Sequence, residues 1–389
     1  MVVRSHHAWV AVVAVLLAAA VPSVHAVTIR VDHAGGGDHL TIQDGIAAAT
    51  AGDTVLVWPG VYTEYVEMAS SADGVILRSF AGPSVTTING SSVDSRITVS
   101  CKHLSTGARI EGFRVTGTST ATSVGVMDVY QSTLEVHSCV ITEGAGLNGI
   151  AAQFSDVSIV GCTISGVGAP DSPGGAVYAD NSHVCITNSD IIGNTAREGG
   201  AISGFQLSAL ELVGNTIASN TATQGAAAID LWNPGPVHAS GNSFVGNAAA
   251  PYGAATVYVY GSVDELVFTD NVFFGNTAQG EQGSIVLVQG TPMPVFNGNF
   301  LHDADVTYQV AFGATPGPWR LLDFTQNWWG TTDPIEIDNR IFDHDNGQVW
   351  WEADFSEWCT DPSCSGLVTD VPGATQQETS WGRLKNLYR

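Results

Sequence analysis

Asn215-Thr-Ile217, Asn242-Ser-Phe244, Asn271-Val-Phe273, Asn299-Phe-Leu301 and Asn327-Trp-Trp329 share one pattern, an asparagine two residues before an apolar side chain. The asparagines recur at steps of 27, 29, 28 and 28 residues. Ser189, Cys162, Cys139 and Phe113 fill the same slot further back, at steps of 26, 27, 23 and 26, so nine coils stand in register. Apolar residues fall five and three positions before the slot and two after it. Leu210, Leu212 and Ile217 do so about Asn215, Leu266, Phe268 and Phe273 about Asn271, and Val184, Ile186 and Ile191 about Ser189. Alternation of period two specifies a strand, and the slot between two such runs is a turn. One coil cannot bury its apolar face alone, so a period of this length predicts a stack.

A second register follows about half a coil later: Gly175-Ala-Val177, Gly200-Ala-Ile202, Ala228-Ile229, Thr256-Val257 and Ser284-Ile285. Between the registers lie Asn194-Thr-Ala, Asn220-Thr-Ala, Asn247-Ala-Ala and Asn276-Thr-Ala, which read as a further corner. Each coil therefore carries about three short strands. The expected fold is all-β, a right-handed parallel β-helix of about ten to eleven coils, with coils ~4.8 Å apart. Asn215, Asn242, Asn271, Asn299 and Asn327 are expected in one column. There they either form an amide ladder, each donating to the next, or serve as left-handed turn residues.

A stack needs its ends covered, because an open coil is an exposed sheet edge. Thr41-Ile-Gln-Asp44-Gly-Ile-Ala-Ala-Ala reads as a short amphipathic helix over the first coil, with Thr41 and Asp44 placed like a capping box. From Trp328 to Trp358 the register breaks and aromatics accumulate, which predicts an irregular C-terminal cap. The expected organisation is a signal peptide over 1–26, the β-helix with its N-terminal cap over 27–327, the C-terminal cap over 328–366 and a flexible tail over 367–389. The leader reading rests on Arg4, on the apolar run Val10 to Val21, too short to span a bilayer, and on the small residues of Val24-His25-Ala26. It predicts export to the cell surface or beyond, with no transmembrane segment after cleavage.

The net charge of −24, with Lys102 and Lys385 as the only lysines, argues against nucleic acid as a partner. A monomer is expected. In an exported chain the six cysteines permit disulfides. Cys359 and Cys364, separated by Thr-Asp-Pro-Ser, are read as bridged, and Cys139 and Cys162 as stacked thiols.

Three segments carry a family resemblance. Thr41-Ile-Gln-Asp-Gly-Ile with Ala51-Gly-Asp-Thr and Trp58-Pro-Gly-Val-Tyr-Thr-Glu64 resembles the entry, and Asn327-Trp-Trp-Gly330 with Ile341-Phe-Asp343 the exit, of bacterial members of the pectin-lyase-like right-handed β-helix superfamily. Ile191-Ile-Gly-Asn194-Thr-Ala196 with Gly199-Gly-Ala-Ile202 is similar to the repeats of chlamydial-type polymorphic outer-membrane proteins. The likeness covers roughly residues 40 to 345. It implies fold rather than function, because this fold hosts lyases, hydrolases, adhesins and spacers alike. The paired aspartates and the GHG and RIK motifs of polygalacturonases are absent, and no acidic cluster with a basic partner marks a pectate lyase.

The candidate site is a pair of outward columns on the second register. One reads Tyr178, Ser203, Asp230, Tyr258, and the next Asp180, Phe205, Trp232, Tyr260. Phe205, Trp232 and Tyr260 follow the inward residues Ile202, Ile229 and Val257 by three, an odd offset that points them outward together. Sugar rings stack on such aromatics while neighbouring carboxylates accept from hydroxyls. The candidate carbohydrate-binding residues are therefore Tyr178, Asp180, Phe205, Asp230, Trp232, Tyr258 and Tyr260. The alternative is a covering loop, Ala169-Pro-Asp-Ser-Pro173 or Trp232-Asn-Pro-Gly-Pro236. Asp343-His-Asp345-Asn-Gly347 is read as a capping turn because its spacing does not fit a calcium loop, and no metal site is expected. His238 and Arg197-Glu198 are read as isolated outward residues, and no catalytic residue is identified. The reading is thus a non-catalytic, secreted or cell-surface protein binding polysaccharide or surface glycan. A polysaccharide lyase or glycoside hydrolase, with Ca²⁺ only for a lyase, and an adhesin or envelope spacer are the alternatives.

Overall fold

The computed structural model describes residues 26–90, 97–117, 125–144, 148–250, 253–278, 283–288, 294–303, 306–313, 320–343 and 351–368. Nearly all of the expected signal peptide, most of the expected tail and residues 344–347 of the expected capping turn lie outside them.

The chain winds as a parallel β-solenoid. Its strands form three long sheets of 13, 11 and 10 strands and a four-stranded ribbon at one corner. Each strand pairs with its counterpart one coil later, so Leu210 faces Val237 and Leu212 faces Ala239. A single coil shows the path. Ile202–Phe205 lies in the 11-stranded sheet, Ala209–Val213 in the 13-stranded sheet, Thr216–Ala218 in the 10-stranded sheet and Thr221–Ala222 at the corner, and Ile229–Trp232 then begins the next coil.

Period-two alternation buries one side of the strands in the three long sheets, as in His183–Thr187 and Ala209–Val213. Ile159, Ile186, Leu212, Ala239, Phe268 and Phe296 form an inward column, all buried. Phe268, Phe296 and Phe324 stack with ring centroids 4.8 Å apart and planes within 5° and 6° of parallel. Phe244 and Phe273 repeat the 4.8 Å spacing. Burying each large apolar side chain contributes roughly 1.5–3 kcal/mol, and identical stacking repeats that gain coil after coil.

Corners are made by single residues in the left-handed region. Between the 11- and 13-stranded sheets these are Gln131, Phe154, Asn181, Gln206 and Asn233, with φ from 46° to 52°. Between the 13- and 10-stranded sheets, Gly214 (φ 65°) and Asp270 (φ 57°) precede the slot of Asn215 and Asn271. The ladder asparagines are therefore not the turn residues themselves. Asn215 Nδ2 donates to Asn242 Oδ1 (2.9 Å) and to the Ile186 carbonyl (2.8 Å), and the Asn215 amide donates to the same Asn242 Oδ1 (2.9 Å). Asn242 repeats this toward Asn271, Asn271 toward Asn299, and Asn299 toward Asn327. Ser189 and Cys162 continue the column backward, accepting the backbone amides of Cys162 (3.1 Å) and Cys139 (3.4 Å). Cys139 and Cys162 are free thiols.

A second ladder runs through Asn194, Asn220, Asn247 and Asn276 and ends on Asp303, whose Oδ1 accepts from Asn276 Nδ2 at 2.9 Å. Burial pushes the Asp303 carboxyl up to about 6, against the Ser284 and Asn276 hydrogen bonds.

Both ends are closed. Helix α1 (Ile42–Ala48) is capped by Thr41, whose hydroxyl accepts from the Asp44 amide (3.1 Å). The first two helical amides, Ile42 and Gln43, donate to the Glu64 carboxylate at 2.9 and 3.0 Å. At the other end the register does not stop at Trp328, because Trp351–Asp354 pairs in parallel with Arg320–Asp323 and extends the 13-stranded sheet by one rung. Helix α2 (Pro334–Asp338) and the Cys359–Cys364 bridge, with an S–S distance of 1.99 Å, belong to this cap. Leu367–Val368, at the start of the expected tail, pairs antiparallel with Trp358–Cys359.

Candidate functional site

Strand Ile229–Trp232 sends Ile229 and Leu231 into the core and Asp230 and Trp232 to the outer face. Its neighbours do the same in register. Tyr178, Ser203, Asp230 and Tyr258 form one outward column, and Asp180, Phe205, Trp232 and Tyr260 the next. Phe205 is 41% exposed and Trp232 36%, so neither proline-containing loop buries them. The ring centroids of Trp232 and Tyr260 lie 4.6 Å apart, tilted by 42°. The second column also reaches further than the aromatic triplet. Gln153, Tyr130 and Lys102 precede Asp180 in the same register, which adds one more aromatic ring.

Asp230 departs from the simple outward picture. It points away from the core yet is only 1% exposed, because it floors a cleft of about 120 Å³ lined by Glu198, Gln224, Gly225, Trp232 and Tyr258. Its Oδ1 accepts from Trp232 Nε1 (2.9 Å) and its Oδ2 from the Ala226 amide (2.8 Å). Burial pushes the Asp230 carboxyl up to about 6, the Ala226 hydrogen bond opposes the rise, the Glu198 charge adds to it and the Trp232 hydrogen bond opposes it. The hydrogen bond also fixes the indole edge, so the exposed Trp232 ring is held in one orientation. Tyr178 and Tyr258 hold their phenolic protons more tightly than usual, through burial first and then through Asp180 and Glu198 for Tyr178, and Asp230 and Tyr260 for Tyr258.

Glu198 is not an isolated surface residue, contrary to the sequence reading. It precedes Gly199-Gly200 in the turn that feeds strand Ile202–Phe205, and that turn brings it to the cleft, with Oε1 3.5 Å from Arg197 Nε. Gly225 explains the tight approach, since a Cβ there would overlap Asp230 Oδ2. Glycines recur ahead of this strand in successive coils, at Gly199, Gly225 and Gly253. That recurrence was the one available signal for the cleft.

A second concavity, of about 490 Å³, lies at the corner of Ser132, Phe154, Ser155, Asp156, Asn181 and His183. His183 Nδ1 sits 3.2 Å from Asp156 Oδ1 there, and nothing in the sequence had singled it out. Among the described residues no group of three or more His, Cys, Asp or Glu side chains is placed to hold a metal.

The model of the right handed beta helix region matches residues 98–301. Several solved structures are similar at low identity. A pectin methylesterase from carrot is 12% identical with a TM-score of 0.33, covering 84% of this chain and 87% of that one. A mannuronan C-5 epimerase module from Azotobacter vinelandii is 14% identical with a TM-score of 0.34, covering 80% and 93%. An alginate lyase is 10% identical with a TM-score of 0.41, covering 90% of this chain and 56% of its own. No curated protein sequence matches the chain. The family model spans just over half of the 389 residues, and with the parallel coils described above it identifies the chain as a member of the right-handed β-helix family.

Proposed function

We propose that the protein is a secreted or cell-surface β-helix that binds carbohydrate on the outer face of its 11-stranded sheet. The observation that carries this reading is the hydrogen bond from Trp232 Nε1 to the buried Asp230 carboxylate. It holds an exposed indole rigid beside Tyr260, above a cleft edged by Glu198 and Tyr258. A rigid aromatic platform with adjacent acceptors suits a pyranose, whose ring faces are apolar and whose edge carries hydroxyl donors. A glycan array comparing the wild type with Trp232→Ala tests it. The substitution is expected to weaken binding by about 1–2 kcal/mol, as for one aromatic anchor. Thermal stability should fall only modestly, because Asp230 loses the indole donor but keeps the Ala226 amide. A variant that melts much earlier and binds no differently would show that Trp232 serves packing instead.

A catalytic reading is favoured by one feature, a carboxyl raised to about 6 with Glu198 beside it. A group of that kind can deliver a proton to a leaving oxygen. Release of reducing ends from a bound polysaccharide, abolished in Asp230→Asn but retained in Asp180→Asn, would move the assignment from binding to hydrolysis.

A further inference from the structure

The outer face of the 11-stranded sheet is acidic as well as aromatic. Its two columns present Glu67, Asp128, Asp180 and Asp230, and Glu198 edges the cleft. Among the described residues of this face the cations are Lys102, whose charge acts on Asp128, and Arg197, whose Nε lies 3.5 Å from Glu198. The five acids outnumber these two cations, and Arg197 is paired with one of them. A uronate chain would therefore bring its carboxylates against a face of net negative charge.

The column geometry adds a direction. Tyr130, Gln153, Asp180, Phe205, Trp232 and Tyr260 are consecutive register partners, and none of them is buried. Stacked core rings set the rise per coil at 4.8 Å, so five steps from Tyr130 to Tyr260 span roughly 24 Å. One coil rise is close to the length of one sugar ring in an extended chain, so a chain lying along the rod axis meets one column residue per sugar.

We infer that this face takes a linear, uncharged polysaccharide running along the rod axis from Tyr260 to Tyr130, and that it discriminates against polyuronates. The inference rests on the carbohydrate-binding reading above and narrows it to one substrate class. Aromatic rings at Tyr130, Phe205, Trp232 and Tyr260 pack the ring faces, and Asp180 and the Tyr178 and Tyr258 hydroxyls meet sugar hydroxyls at the edges. Repulsion from the surrounding acids supplies the discrimination.

Isothermal titration with cello-, manno- and xylo-hexaose, the matching trisaccharides and hexagalacturonate decides the matter, at low and at high salt. At least one neutral hexasaccharide should bind tenfold or more tightly than hexagalacturonate at low salt, with the gap narrowing as salt screens the repulsion. Tyr130→Ala should lower the hexamer-to-trimer affinity ratio about fivefold, while Trp232→Ala should weaken hexamer and trimer alike. Hexagalacturonate binding as tightly as the neutral chains, with sensitivity to Trp232→Ala, would overturn the neutral-substrate inference and leave the carbohydrate reading standing. An unchanged ratio in Tyr130→Ala would overturn the axial orientation. Absence of binding to every oligosaccharide would overturn both.

Discussion

Asn271→Leu probes the feature that holds successive coils in register. Leucine has nearly the shape of asparagine, so cavity formation is small and the hydrogen bonds dominate the change. Four are lost. Asn271 Oδ1 no longer accepts from the Asn242 amide (2.9 Å) or from Asn242 Nδ2 (2.9 Å). Asn271 Nδ2 no longer donates to Asn299 Oδ1 (3.0 Å) or to the Ala239 carbonyl (2.9 Å). These losses are unequal. Asn242 Nδ2 keeps the Leu212 carbonyl, and Asn299 Oδ1 keeps the Asn271 backbone amide. The Asn242 amide is left buried without an acceptor, and one such orphan costs about 1–3 kcal/mol. With the weaker losses added, Asn271→Leu should destabilise by about 3 kcal/mol. Asn271→Ser should cost less, about 1 kcal/mol, because Ser189 in the same slot shows that a hydroxyl can accept the preceding coil's amide, at 3.1 Å. Denaturant unfolding followed by fluorescence and circular dichroism gives both numbers, and coincidence of the two probes confirms that the stack unfolds as one unit. A leucine variant at least as stable as the serine variant would refute the argument that amide acceptance, rather than side-chain volume, is what the column provides.

Three further outcomes follow from the same structure. Asp303 and Asp230 both have folded values near 6 against about 3.9 in an unfolded chain, so folding favours their protonated forms. Their contribution is fully present below about pH 4 and is lost as pH rises through about 6. Asp303→Asn keeps an acceptor for Asn276 and should flatten that loss by ~2–3 kcal/mol, read as the slope of melting temperature against pH between 4 and 7. Gly225→Ala should displace the Asp230 carboxylate, because the new methyl overlaps Oδ2, and glycan affinity should fall while the far-ultraviolet spectrum stays unchanged; unaltered affinity would separate Asp230 from binding. Phe154 is 53% exposed and held at φ 52°, where the next coil has Asn181 at φ 48°. Phe154→Asn should therefore stabilise the protein by about 1 kcal/mol, since a bulky side chain is strained there and asparagine is not, and a lower unfolding midpoint would contradict this.

Much of the architecture is readable from local pattern. The spacing of Asn215, Asn242, Asn271, Asn299 and Asn327 fixes the coil length, and the alternation in Ile229-Asp-Leu-Trp232 fixes which side chains face out. Repetition makes both legible, because each coil solves the same burial problem with the same local pattern. The column of Phe205, Trp232 and Tyr260 follows from that arithmetic, whereas the C-terminal end does not, because Trp351–Asp354 adds a rung beyond the break at Trp328. What the pattern leaves open is the environment of each outward residue. Asp230 and Asp180 are equivalent by alternation, yet Asp230 is buried and its proton is held, while Asp180 is partly exposed. The difference comes from Gly225, in the turn just before Asp230, and from Glu198, which reaches it from the preceding coil. The role of Asp303 as terminus of the second ladder, and of Glu64 as cap of α1, likewise depends on atoms about twenty or more residues away. Periodicity is a property of near neighbours along the chain and survives in the sequence. Desolvation and charge proximity depend on which coils lie against each other, and only the assembled stack decides them.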